Sequence, residues 1–133
     1  PAGETSPTIG QFSEREMITY EPGQTIRARS TDALTHHFGH PPRIALSTSG
    51  STSIVQLVGV GLGYSVVPQW LVPSSDPHIG QIVMDDIPPI SVYFAHTTLL
   101  SSNAFVHQLH EICARVMGSQ LEAETKITTI FRH

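Results

Sequence analysis

Charge is scarce in this chain. Only 14% of its 133 residues are Asp, Glu, Lys or Arg, and 11 acidic against 7 basic side chains leave a formal net charge of −4. That balance gives no overall attraction to nucleic acid, so a DNA-contacting element is expected outside this segment. Cysteine is scarcer still. Cys113 stands alone, no intrachain disulfide can form, and a reducing, cytoplasmic setting is expected. No apolar run reaches membrane-spanning length, and no signal-peptide pattern is found. The first residue is Pro1 rather than Met, which reads as a processed or excised piece.

What is present is a globular composition, 39% hydrophobic, at the length of one domain. Residues 1–16 are rich in Gly, Pro, Ser and Thr and read as a leading loop. Met17 to Tyr20 is a short strand, and Glu21-Pro22-Gly23-Gln24 a turn. Thr25 to Phe38 is a helix with Ile26, Ala33, Leu34, His37 and Phe38 on one stripe. Gly39 caps it and Pro41-Pro42 forbids its resumption. Arg43 to Leu46 is the next strand. A helix from about Ser51 to Leu62 turns Ile54, Leu57, Val58 and Leu62 inward.

Tyr64 to Val67 is apolar apart from Ser65, the pattern of a strand buried in a parallel sheet. Pro68 to Val72 reads as a short helix, Pro73 to Gly80 as loop and Gln81 to Met84 as strand. After Asp85 to Pro89, Ile90 to His96 is expected as a strand. Ser102 to Met117 is a helix with Ser102 at its N-cap, closed by Gly118. The tail to His133 is polar and weakly patterned, one more helix or unstructured chain. Strands and helices alternate through the middle, so the expected class is α/β, a mainly parallel sheet flanked by helices.

The stretch with most chemistry runs from Arg43 to Val72. An apolar strand hands over to a helix through Ser47, Thr48, Ser49, Gly50, Ser51, Thr52 and Ser53. Ligands of open α/β sheets bind at the carboxyl ends of strands, and helix N-termini offer unpaired N–H groups to an anion. Hydroxyls there suit a small carboxylate. They also suit helix capping, and at least one is expected to cap. Tyr20, Pro22 and Gln24 follow the first strand and are expected at the same sheet edge, as cleft wall or as an ordinary turn. Tyr64 and Pro68 are placed alike around the third strand.

Other clusters carry less. His36, His37 and His40 gather at a helix end, and His107 and His110 lie three apart, yet neither set has a Cys or carboxylate at a metal-site spacing. No metal and no cofactor is expected. Asp85 and Asp86 precede Ile87-Pro88-Pro89 and read as a solvated loop rather than an acid–base pair. Nucleophile-elbow, P-loop and dinucleotide fingerprints are missing, and Gly59-Val60-Gly61-Leu62-Gly63 lies at the wrong end of its helix for phosphate. An enzyme is not expected.

From about Met17 to Met117 the chain resembles the effector-binding domain of LysR-type transcriptional regulators. The resemblance rests on ITYEPG from Ile18 and PRIALSTSGSTSIVQLVGVGLGYSVVPQWLV from Pro42, completed by ISVYFAH and SSNAFVHQLHEI. It implies a periplasmic-binding-protein-like (type II) subdomain over residues 17–89. Residues 90–117 would be the strand and helix returning towards a first subdomain, and 118–133 a tail. The winged helix-turn-helix and most of the first subdomain would be missing, with DNA bound only through that missing part. The resemblance further implies a small-molecule effector, with Ser49 aligned to a contacting position. In such regulators the terminal helix packs on the first subdomain. The stripe Phe105, Leu109, Ile112 and Val116 would here lack that cover, so a homodimer or homotetramer is expected. A fragment of a transporter solute-binding protein, a stand-alone α/β enzyme and a partner-binding module are the rival readings.

Overall fold

A Pro-Gly turn and a left-handed glycine delimit the first helix. Gly23 takes φ +95° in the turn, and Gly39 takes φ +77° while donating its N–H to Thr35. Only glycine adopts that conformation without strain. In the computed structural model, which describes residues 7–73, 76–91, 104–121 and 124–133, helix α1 is accordingly Thr25–Phe38. Strand β1 is Glu16–Tyr20, β2 Arg43–Thr48, α2 Ser51–Gly59, β3 Ser65–Pro68 and β4 Ile79–Val83. A 3-10 turn, Ile9–Phe12, precedes β1, and another, Gln69–Leu71, follows β3. The short strands β5 (Ile90–Ser91) and β6 (Glu124–Thr125) flank α3, Ala104–Leu121, and β7 is Ile127–Arg132.

The chain divides into two compact units. One comprises Pro1–Pro88 with Lys126–His133, the other Pro89–Thr125. In the first unit β1 and β2 pair in parallel, with a register shift between Met17 and Ile18 that passes over Ala45. An isolated parallel bridge, Met17 to Tyr64, ties β1 to the start of β3. β7 lies between β3 and β4 and runs antiparallel to both, so β3 and β4 share a direction. The expectation of a mainly parallel sheet is therefore corrected: among the described residues parallel pairing joins β1 to β2 and, through one bridge, to the start of β3, whereas β7 pairs antiparallel with β3 and β4, and β5 with β6. The cause is β7, whose buried run Ile127 to Phe131 fills a slot within the sheet. The sequence reading of that segment as a polar tail, helical or unstructured, is corrected by the same strand.

Burial follows from this layering. Ile54 and Val58 of α2 and Leu34 of α1 are fully buried, as are Met17, Ile18, Val66, Val67, Ile127 and Ile130 along the strands. Phe12, in the segment read as leading loop, joins them. Its ring centroid lies 5.1 Å from Tyr64 and 5.2 Å from Phe131. α2 ends at Gly59, short of the expected Leu62, because Gly61 takes φ +87°; Leu62 is consequently 58% exposed.

In the second unit β5 and β6 pair antiparallel. α3 continues through Gly118 to Leu121, so that glycine does not close it. Phe105, Leu109 and Ile112 are exposed. The N-cap reading of Ser102, and the expected strand beyond Ser91, lie outside the described residues.

Candidate functional site

The register shift decides which side chains meet at the end of the parallel pair. Past the passed-over Ala45, Thr19 faces Ser47 and Tyr20 faces Thr48. Both strands end there, and the chain turns through Ser49 into α2. Gly50 is the N-cap of that helix, and no side chain caps it. The expectation that a hydroxyl would do so is corrected. Among the described residues the N–H groups of Ser51, Thr52 and Ser53 have no partner; the first helical bond is from Ile54 N–H to Gly50. Two of the hydroxyls, Ser47 and Ser51, are engaged elsewhere. Tyr20 Oη and Ser51 Oγ lie 2.6 Å apart, tying the end of β1 to the start of α2. Burial pushes the Tyr20 phenol above its ordinary value, and the Ser51 hydrogen bond offsets part of that rise. The phenol is neutral at physiological pH and able to donate.

A residue that sequence reasoning missed organises the same edge. Arg27, in the first turn of α1, donates through Nη1 to Tyr20 O at 2.9 Å and to Ser47 Oγ at 2.8 Å. Among the described residues no carboxylate lies within ion-pair distance of it. One half-buried guanidinium therefore meets the carboxyl ends of both parallel strands with its charge unneutralised. Its sequence signal was a lone cation in the turn of helix after Pro22-Gly23.

Of the expected residues, the structure brings together Tyr20, Ser47, Thr48, Ser49 and Gly50. Ser49 is exposed; Ser47, Thr48 and Gly50 are half-buried. Pro22 is exposed in the β1–α1 turn, and Gln24 is the half-buried N-cap of α1, without a side-chain cap bond. Tyr64 is placed apart. Its N–H bonds Glu16 O and its carbonyl accepts from Ile18 N–H, at the beginning of β1. At about 3.3 Å per residue, that is about 10 Å along the strand from Tyr20.

The histidines and aspartates go to the surface. His37 Nε2 lies 2.9 Å from Asp86 Oδ2, and Asp85 is 3.8 Å from Lys126. Among the described residues no three His, Cys, Asp or Glu side chains gather as a metal set, and no helix is long and apolar enough to cross a membrane.

A guanidinium, a neutral phenol, a row of hydroxyls and open helical N–H groups thus share one strand terminus, and groups of these kinds donate hydrogen bonds to anions. Comparison with known proteins bears on it. Neither a curated protein nor a solved structure matches the chain. The model of one family, the LysR substrate binding domain, matches residues 1–118. A periplasmic-binding-like α/β fold goes with that family, and the chain belongs to the LysR substrate binding domain family, the ligand-binding part of LysR-type transcription regulators.

Proposed function

We propose that this chain is the effector-sensing portion of its regulator, and that the effector is a small anionic metabolite held at the carboxyl ends of β1 and β2. One observation carries the reading. Arg27 reaches both strand ends with no carboxylate opposite it, beside the uncapped N-terminus of α2. An anion there would take charge-assisted hydrogen bonds from the guanidinium and weaker ones from the Ser51 to Ser53 N–H groups. Ser49, Thr48, Ser47 and Gly50 would form the contacting turn. Tyr20, Pro22 and Gln24 would form the adjoining wall.

In the intact regulator the opposite wall would come from a first subdomain, making an inter-subdomain cleft. Switching then rests on differential affinity: the effector binds the closed arrangement better than the open one and shifts the population towards it. DNA would be bound through an N-terminal winged helix-turn-helix, in the cytoplasm, by a homodimer or homotetramer. The exposed Phe105, Leu109 and Ile112 support association, since apolar patches of that kind are ordinarily covered. A transporter solute-binding fragment is not favoured by the family match.

The test uses the intact regulator. Ser49→Tyr fills the turn, and Arg27→Gln removes the charge. Both variants are expected to bind operator DNA as the wild type does while losing the response to its inducing metabolite. An unchanged response in both would overturn the reading.

A further inference from the structure

The opposite end of β1 carries a second constellation. A cavity of about 320 Å3 opens between the Phe12 to Glu16 segment, the Gly61 to Tyr64 loop and the end of β7. Its lining is partly aromatic, with buried Phe12 in ring contact with both Tyr64 and Phe131, and the exposed Leu62 adds an apolar wall. Two cations stand at its rim. The Arg15 guanidinium lies 5.1 Å above the Phe12 ring, and Arg132 runs along Gly61, where a Cβ would come within 3.6 Å of Nη1. Among the described residues no carboxylate pairs with either guanidinium. Of the rim carboxylates, Glu14 is already held by Arg43 at 2.6 Å and reaches His40 at 3.7 Å, which leaves Glu16.

Tyr64 Oη is closed off from this opening and, like the hydroxyls of Thr19, Ser65, Thr128 and Thr129, it is buried without a hydrogen-bond partner among the described residues. Burial also raises its pKa to about 12, which keeps its proton in place. The group complementary to the two rim guanidinia is a carboxylate. The uncompensated Glu16 beside them favours one negative charge over two, and the aromatic lining and Leu62 favour an apolar body.

We propose that this cavity is a second ligand site, taking a small hydrophobic monocarboxylate, separate from the edge formed by Arg27 and Ser49. Phenylacetate is the probe. In amide NMR titration of this chain, it is expected to give saturable shifts at Gly61, Gly63 and Arg132. Arg15→Gln and Arg132→Gln each weaken the dissociation constant about tenfold, as loss of a charge-assisted bond requires. Tyr64→Phe keeps or gains thermal stability, because it deletes an unpaired buried hydroxyl, and leaves binding within about twofold of wild type. Ser49→Tyr leaves the titration unchanged. No saturable shift up to about 10 mM, shifts centred on Ser49 and Gly50, or unchanged affinity in both arginine variants overturns the proposal.

Discussion

The hydroxyl of Tyr20 meets that of Ser51 at 2.6 Å, so the last residue of β1 is bonded to the first residue of α2 across thirty-one positions of sequence. This contact fixes the helix terminus against the strand ends and holds the turn from Thr48 to Gly50 between them.

Tyr20→Phe removes that bond while keeping the ring. The domain is expected to lose about 1 kcal/mol, the net value of a part-buried hydrogen bond. A urea midpoint shift without a change in slope would register it. A midpoint equal to wild type would show that the contact does not hold the terminus.

Arg27→Lys keeps the charge and loses the geometry. An ammonium can also donate twice, but its shorter, flexible stem lacks the rigid planar fork that aims Nη1 at both Tyr20 O and Ser47 Oγ. Stability should fall by about 1–2 kcal/mol. In the intact regulator the inducing concentration should rise about tenfold or more. Full response at the wild-type concentration would remove Arg27 from the site.

Alkaline pH should unfold the domain through its buried phenols. Tyr64 is pushed up to about 12 and Tyr20 is raised by burial, each from an ordinary value of 10.0. Between the unfolded and folded pKa values the unfolded chain has released protons that the native state retains, so stability falls as pH rises. The Tyr64 contribution is fully present below pH 10 and is lost as pH climbs through its folded value near 12. Denaturant midpoints measured across that window should decline in the wild type and decline less in Tyr64→Phe. Parallel curves would contradict the assignment.

Ile130→Ala should cost about 2–5 kcal/mol, the ordinary range for emptying a fully buried aliphatic site. Deleting residues 126–133 removes β7 whole, with buried Ile127, Ile130 and Phe131, each contributing about 1.5–3 kcal/mol. That sum rivals the total stability of a small domain, so the truncated chain should lose its cooperative thermal transition. Retention of a sharp transition would mean that β3 and β4 are held together without β7.

Local signals were legible and long-range ones were not. α1 is found at its expected bounds because both ends are set by residues inside it or beside it, the Pro22-Gly23 turn and Gly39. The hydroxyl turn before α2 was equally plain, since it lies within the consecutive residues Ser47 to Ser53. β7 was hidden because Ile127-Thr128-Thr129-Ile130 lacks the two-residue alternation that marks a half-buried strand. Thr128 and Thr129 are fully buried, and that burial is imposed by β3 and β4. Tyr64 was expected at the same sheet edge as Tyr20 and lies instead against the beginning of β1, because sequence gives a strand's pattern and not its stagger. Arg27 looked like any helix-surface cation, and only the fold brings Tyr20 and Ser47 to it.

The pairing of β7 also bears on how quickly the sheet can be assembled. Ser65 meets Ile130 and Gln81 meets the other side of the same residue, so both seams join stretches far apart along the chain. Such contacts form late, because the intervening loop must be closed before any seam energy is recovered. Until then β3 and β4 each present an unsaturated edge, and edges of that kind recruit the strands of neighbouring molecules. A slow refolding phase competing with aggregation, relieved by dilution, is the kinetic signature that this topology dictates.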